Sequence, residues 1–423
     1  MIALLAVAWI FAAEPSAARE LPLSEAMSLA ASKNPQVEVA AADASRAQTL
    51  VKQGYALFLP TIEAQGAWQY NHERLTQPFP GGEIVFQPWW RRTWQVTANQ
   101  NLSFHGPALP LLQQAKAGAR SASFAEDVVR ADIGFAVARA YYAALTADTV
   151  VAVADDARTA AAELLRVATV KRQNGRATDA EVLRAKLRVA ESDQALASAR
   201  RAAEEARETV ADLIGVTGPF RFTRPARAPD PSAVAATSGA PLRAEIQAAH
   251  AAVGFADAAN TAAFRRWYPT LGVQATYSGY DTSDGELFGQ PKQSYAIVAL
   301  ASVTLFDGTL KYWQTRETRA QVRAAKAREE STRLAAEADE RRSRRRVAAA
   351  AETEALAKER LSLATKAREL VAGQYELGVA TQLERLDADS AFAAARREAA
   401  ATELEADLAI LELRRALGLA LLP

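Results

Sequence analysis

Four segments of the chain alternate polar and apolar positions with a period of two. Residues 61–70 set Ile62, Ala64, Gly66, Trp68 and Tyr70 against Glu63, Gln65, Ala67 and Gln69. Residues 92–104 set Trp94, Val96, Ala98, Leu102 and Phe104 against Gln95, Thr97, Asn99, Asn101 and Ser103, with Gln100 as the one misfit. Residues 270–280 set Leu271, Val273, Ala275 and Tyr277 against Thr270, Gln274, Thr276 and Ser278. Residues 294–306 are apolar on both faces, so no orientation follows from their pattern. Alternation over about 10 residues with aromatics near the ends is the pattern of a transmembrane barrel strand. A half-buried sheet in a soluble domain alternates in the same way. The barrel is favoured by a polar face of Gln, Asn, Thr and Ser, suited to a wet lumen. It is favoured too by the links Asn71–Arg91 and Asp281–Gln293, expected to be loops far longer than tight hairpins. Four strands cannot close, and an open edge leaves unpaired amides in hydrocarbon. The smallest membrane barrels have about 8 strands. Two chains would supply 8 with a filled interior; three would supply 12 with room for a channel.

Between the strands the period changes to that of helices. Residues 107–173 and 309–374 lack proline beyond Pro107 and Pro110. Each could run for about 100 Å at 1.5 Å per residue. The first carries two heptad seams. Phe124, Val128, Ala131, Phe135, Ala138, Tyr142 and Leu145 form one; Val129, Ile133, Ala136, Ala140, Ala143, Ala147, Val150 and Ala154 form the other. Adjacent seams call for partners on both flanks, as in a ring of helices. A core helix of a bundle would be apolar around more of its girth, whereas Arg130, Asp132 and Arg139 occupy the far side. Shorter helices are expected over 176–214 and 380–417, with others near 23–57 and 241–266 ahead of the strands. Laid end to end, 176–214 and 241–266 match 107–173 in length, so two short helices stack beside each long one.

The chain is an internal duplicate. Gly175, Thr178, Glu181 and Leu183 recur as Gly378, Thr381, Glu384 and Leu386 with one constant offset, and Ile214-Gly215 recurs as Leu417-Gly418. Upstream, Leu59-Pro60-Thr61-Ile62 recurs as Tyr268-Pro269-Thr270-Leu271. Leu102-Ser103-Phe104-His105-Gly106 recurs as Thr304-Leu305-Phe306-Asp307-Gly308. A repeat is read as two copies of one structural unit. The expected organisation is 1–18 as a signal peptide, 19–215 as the first repeat, 216–240 as a Pro/Gly-rich equatorial linker, and 241–423 as the second repeat. The apolar run Ile2–Ala13 is too short to span a bilayer as a helix, and Ser16-Ala17-Ala18 has the small residues of a cleavage site, although no Lys or Arg precedes the run.

Composition narrows the chemistry. The net charge is +1, which gives no global attraction to nucleic acid, and there are no cysteines for disulfides, thiolate catalysis or lipid attachment. His72, His105 and His250 show no metal-ligand spacing, and Gly81-Gly82 lacks the Lys-Ser/Thr of a phosphate loop. No enzyme activity, cofactor or metal is expected. The run Arg341-Arg342-Ser343-Arg344-Arg345-Arg346 points in all directions around its helix, so it is expected to pair with Glu337, Asp339, Glu340 and Glu352 rather than form a recognition stripe.

The duplicated Gly-x-x-Thr-x-x-Glu turns, the paired Leu-Pro and Tyr-Pro junctions and Leu305-Phe306-Asp307-Gly308 together make the chain resemble the TolC-like outer-membrane efflux proteins over essentially its whole mature length. That resemblance implies a fold that is mostly α with a transmembrane β part: a long α-helical barrel plus four strands per subunit of a shared 12-stranded β-barrel. It implies a homotrimer in the outer membrane of a Gram-negative cell, in contact with outer-membrane lipid and extended through the periplasm. Its partners would be a periplasmic adaptor (membrane fusion protein) and an inner-membrane pump, and it would export small molecules or polypeptides in tripartite efflux or type I secretion. It puts adaptor docking at Gly175, Arg176, Thr178, Gly378 and Thr381, although relatives often have an apolar residue where Arg176 stands. It puts the periplasmic aperture at Glu384, Asp387, Glu181 and Tyr375. The residues themselves leave alternatives open. Thr178-x-x-Glu181 and Thr381-x-x-Glu384 are capping boxes, which gives both glutamates a structural role. Asp387 has none and shares a helix face with Glu384, while Tyr375 could equally pack at its turn. A periplasmic coiled-coil adaptor or scaffold would explain the helices but not the wet-faced strands. A passive porin would explain the strands but not the helix length.

Overall fold

The computed structural model describes residues 19–102, 106–216, 218, 220–227, 243–284 and 291–421. The expected signal peptide, the stretch Ser103–His105 at the end of the second predicted strand, and most of the equatorial linker lie outside the described residues. The described elements are β1 (Arg19–Leu21), α1 (Leu23–Lys33), α2 (Pro35–Ala56), β2 (Thr61–Tyr70), β3 (Leu75–Phe79), β4 (Gly82–Gln87), β5 (Trp90–Asn101), α3 (Ala108–Gln173), α4 (Asp179–Ile214), β6 (Phe220–Phe222), α5 (Ala244–Arg265), β7 (Thr270–Thr282), β8 (Gln293–Ser302), α6 (Leu310–Glu376) and α7 (Gln382–Ala416). They fall into two compact units, one from 1–41, 126–244 and 333–423, the other from 42–125 and 245–332. Helices α2, α3, α5 and α6 contribute residues to both.

The second unit holds the sheet. Its order is β2-β5-β7-β8, every pair antiparallel. Strands β2 and β8 are its edges, and every residue of both is exposed. The register resolves the segment whose pattern was ambiguous. Tyr295, Ile297, Ala299 and Ala301 stand opposite Tyr277, Ala275, Val273 and Leu271, so they extend the apolar face. Across β2 and β5 that face continues through Ile62–Ala98, Gly66–Trp94 and Tyr70–Trp90. A methyl added at Gly279 would sit 2.5 Å from the Trp94 ring, so the glycine is what lets the indole lie flat against β7. Gln100 is a misfit in the alternation because its side-chain amide is tied to the backbone. Its Nε2 donates to Phe58 O at 3.1 Å, in the turn that leads from α2 to β2.

Several boundaries differ from the sequence expectation. The link 71–91 is not a loop. It folds into the β3–β4 hairpin, turning at Gly81 and Gly82 with φ of 122° and 153°. Two adjacent glycines there supply conformations that other residues disfavour. Strand β8 stops at Ser302, short of 306, because Leu305–Thr309 is occupied in turning the chain: Gly308 and Thr309 both have φ near 70° and Asp307 Oδ2 accepts from Lys311 N. The helix expected at 23–57 is two. Asn34 interrupts it ahead of Pro35, its Nδ2 donating to Leu213 O at 3.0 Å and its Oδ1 accepting from Gln36 N at 2.9 Å. Helices α4, α5 and α7 start two or three residues later than expected; ahead of α4 and α7 the chain is taken up by turns and the Thr178 and Thr381 caps.

The first unit holds the core. Leu21, Leu23, Ala26 and Ala30 pack with Ile133, Val137, Tyr141 and Ala144 of α3, Val210 and Ile214 of α4, and Leu404, Ile410 and Leu411 of α7. Val137, Tyr141 and Ala144 form an inward stripe outside both predicted seams, while Ala131 and Ala143 of those seams are exposed. The α3 helix is thus apolar around more of its girth here than two seams require. Tyr141 explains the stripe. Its ring stacks edge-on with Phe222 at 5.0 Å, its hydroxyl lies 2.7 Å from Leu21 O and 2.6 Å from Thr223 O, and it accepts from Thr223 N. One phenol thereby holds the parallel β1–β6 pair, which the alternation did not predict.

Beyond β6 the chain is pinned by charge. Asp407 is 2% exposed and accepts from Arg224 (3.3 Å) and Arg227. Arg224 also pairs with Glu403 at 2.9 Å, and Arg227 with Glu354 at 3.0 Å, which takes Lys358 at 2.7 Å. Burial, then the Asp407 charge, push the neighbouring Tyr142 hydroxyl up to about 12. Burial works against the Glu354 carboxylate, but Lys358 and Arg227 hold it below its usual range, and the Arg224 hydrogen bond does the same for Glu403. Of the arginine run, Arg341, Arg342 and Arg344 pair with Glu337, Asp339 and Glu340 as expected. Arg346 reaches Glu412 of α7 at 2.9 Å rather than Glu352, because a neighbouring helix is closer to its tip than the next turn of its own.

Asp407→Asn removes the carboxylate on which Arg224 and Arg227 converge. It is expected to cost about 2–3 kcal/mol, the loss of charge-assisted hydrogen bonds, seen as a lower thermal midpoint by circular dichroism and faster proteolysis near residues 223–227. Depressed carboxylate pKa values contribute stability above the ordinary value of 4.5, and that contribution fades as pH falls through the lowered ones. The wild-type cluster should therefore lose stability in acid as Glu354 and Glu403 protonate, read as a falling thermal midpoint below pH 4.5.

Candidate functional site: the duplicated turns

Two turns of the same construction close the helix pairs α3–α4 and α6–α7. In the first, Gly175 N donates to Arg172 O at 2.9 Å and Arg176 N to Lys171 O at 2.8 Å. In the second, Gly378 N donates to Tyr375 O at 3.2 Å and Val379 N to Gln374 O at 2.9 Å. This is the Schellman ending, which needs a left-handed residue at the glycine position. Gly175 and Gly378 have φ of 71° and 77°. A few residues later a threonine starts the next helix. Thr178 Oγ1 accepts from Glu181 N while Glu181 Oε2 accepts from Thr178 N at 2.6 Å; Thr381 and Glu384 repeat the exchange, with Thr381 N at 2.7 Å. Both capping boxes are formed. The hydrogen bonds from Thr381 hold the Glu384 carboxyl below its usual range.

The turns touch each other. Gln382 Nε2 donates to Glu181 O at 3.1 Å. The Lys171 ammonium sits 3.8 Å from the centre of the Tyr375 ring and donates to Tyr375 O at 3.3 Å. Tyr375 is buried, and burial followed by the Glu181 charge raises its hydroxyl pKa. Asp389 accepts from Arg368 at 2.8 Å and Arg385 at 3.0 Å, and the Arg368 guanidinium lies over Phe392 at 4.6 Å. Arg172 is paired to Asp179 at 2.5 Å. The Asp387 residue is exposed, and among the described residues no side chain pairs with it. Leu377 and Val379 are 83% and 75% exposed, and Leu183 and Leu383 also face outward. Arg176 is exposed on the first turn.

The structure therefore brings Glu181 and Tyr375 together and puts Glu384 on its own cap, with Asp387 one helical turn further on. The motif search missed Lys171, Gln382, Arg368 and Asp389. The Arg385–Asp389 spacing of four was a legible signal; the Lys171–Tyr375 contact joins different hairpins and was not.

The comparisons agree with this architecture. A family model described as outer membrane efflux protein matches residues 26–216 and 242–419, the two repeats. The fold is similar to the outer membrane protein VceC of Vibrio cholerae, with 20% identity, a TM-score of 0.79, and coverage of 94% of this chain and 96% of that one. It is similar to the CmeC outer membrane channel of Campylobacter jejuni, with 14% identity, a TM-score of 0.78, and coverage of 94% and 85%. For the open state of the MtrE outer membrane channel of Neisseria gonorrhoeae the identity is 19%, the TM-score 0.76, and the coverage 95% and 89%. Among curated sequences none matches significantly. Among the described residues no helix is long and apolar enough to cross a membrane. The duplicated turns, the four-stranded sheet and the family match over both repeats make the chain a member of the outer membrane efflux protein family.

Proposed function

We propose that the chain is one protomer of a homotrimeric channel-tunnel in the outer membrane of a Gram-negative cell. It would export small molecules or polypeptides with a periplasmic adaptor and an inner-membrane pump. The observation that carries this reading is the sheet: two unpaired edges, an apolar face with aromatic ends, and a polar face of Gln65, Gln95, Thr97, Asn99, Gln274 and Thr276. Three copies joined edge to edge give 12 strands, enough to enclose a wet lumen. Helices of 66 and 67 residues, each about 100 Å long, then provide a conduit far beyond the membrane. Native mass spectrometry of the detergent-extracted protein tests the stoichiometry; a stable monomer or dimer defeats the reading. Export, as against passive uptake, predicts that a deletion strain becomes more sensitive to toxic compounds rather than slower to take up nutrients.

At the turns, Glu384 and Asp387 contribute to an acidic ring at the periplasmic aperture. Three copies of two carboxylates converging on one axis would attract cations and repel each other. Glu181 and Tyr375 lie behind that ring as cap and packing. Gly175, Arg176, Thr178, Gly378 and Thr381 shape the surface that meets the adaptor, with Leu377 and Val379 as its apolar part.

Replacing both Glu384 and Asp387 with Ala is expected to raise single-channel conductance in planar bilayers and weaken cation preference; an unchanged channel removes the acids from the aperture. A Cβ added at Gly378 meets no atom within 4 Å, so the effect of Gly378→Val is dominated by backbone strain. A β-branched residue at positive φ costs about 1–3 kcal/mol. Adaptor pull-down should weaken accordingly, and full retention would dismiss the docking role.

A further inference from the structure

The junction where α5 ends and α6 begins carries a band of exposed apolar side chains. Leu305 and Phe306 are 88% and 80% exposed, Trp313 58%, and Trp267 and Tyr268 44% and 43%. Set among them are four cations, Arg265, Arg266, Lys311 and Arg316, against two carboxylates: Asp307, which accepts from Lys311 N, and Glu317, which accepts from Gln321 one turn on. None of the four makes an ion pair among the described residues. Arg266 bonds the neutral Gln314 at 2.7 Å, the Lys311 ammonium lies 5.5 Å from the Trp267 ring centre, and the Arg316 guanidinium lies over Tyr312 and Trp313 at 5.4 and 6.0 Å. The band continues into the apolar sheet face at Leu271. Tyr277, nine residues beyond Tyr268, begins the opposite aromatic rim with Trp94 and Tyr295. Nine residues of tilted strand rise by about 23 Å, close to the ~25 Å apolar height of a membrane barrel. Aromatic rings belong at the membrane–water boundary, with cations reaching past them toward phosphates.

We propose that this junction is a binding surface for the headgroups of anionic phospholipid, with Arg266, Lys311 and Arg316 as the phosphate-facing cations and Trp267, Tyr312 and Trp313 as the platform at the acyl boundary. It rests on the membrane reading above and adds to it the charge class of the lipid and the residues that select it. Unpaired cations over exposed aromatics match a lipid that is both anionic and apolar. A soluble anion has no use for the rings, and an apolar protein partner has none for the cations.

The full-length protein is first inserted into phosphatidylcholine nanodiscs. Failure to insert defeats the membrane reading itself. In detergent it is then titrated with phosphatidylglycerol, phosphatidylcholine or inorganic phosphate, and bound lipid is counted by native mass spectrometry. Phosphatidylglycerol should be retained in preference to phosphatidylcholine. That preference should fall by about fivefold for each cation removed in Arg266→Gln, Lys311→Gln and Arg316→Gln and their combination. Arg266→Lys with Arg316→Lys should preserve it, which separates charge from folding defects. Equal retention of the two lipids, an unaltered preference in the triple Gln variant, or displacement of phosphatidylglycerol by millimolar inorganic phosphate overturns the proposal.

Discussion

The unpaired backbone at the two edges of one sheet is the constraint on which the rest depends. Strands β2 and β8 each offer a row of amide and carbonyl groups with no neighbouring strand among the described residues. In water such edges invite aggregation, and in hydrocarbon each unsatisfied group costs several kcal/mol. The side chains beside those edges, Ile62, Trp68, Tyr295 and Ile297, are apolar and exposed, so retreat into water is also unfavourable. In the proposed channel, sister copies that complete the sheet would relieve both costs together. The apolar face then meets lipid and the polar face meets the lumen, as the proposed channel requires.

The helical unit answers a different demand. Its core is made largely of Ala, Leu and Val around Tyr141, with small residues that allow helices to lie close. Between helices the contacts are ionic: Arg158–Asp193, Arg207–Asp148 and Arg360–Glu398 link neighbours across exposed surfaces. Water screens each such pair, so individually they stabilise little; as a set they disfavour slippage of one long helix along another. The cluster around Asp407 differs because its carboxylate is out of water and must stay paired. At the duplicated turns the same construction appears twice, a left-handed glycine to end one helix and a Thr–Glu exchange to start the next. Leu183, Leu377 and Leu383 stay exposed around them, and Asp387 has no side-chain partner among the described residues.

Local patterns were legible wherever the cause was local. Alternation located β2, β5 and β7 because one face is apolar, and it was silent for β8 because the inner face there carries Ala296, Val298 and Leu300. The capping boxes and turn glycines could be named from spacing, since every partner lies within five residues. The β3–β4 hairpin was read as loop because Pro78 and Pro80 mask its short alternation. Tyr141 looked like one more residue between two seams, as its reason for being buried, the β1–β6 pair, comes from segments 120 and 82 residues away. No local pattern marks Asp407 either, because Arg224 and Arg227 come from segments 183 and 180 residues away.

The sequence alone determined the repeat, the types of the main elements and the turn chemistry. Each follows from steric or hydrogen-bonding rules that act over a few residues. Only the tertiary structure decided which face β8 presents, which stripe of α3 is buried, that Arg346 reaches Glu412, and that Lys171 covers Tyr375. Those outcomes depend on which distant segment arrives at a given surface, and burial and charge pairing are properties of that meeting rather than of either segment.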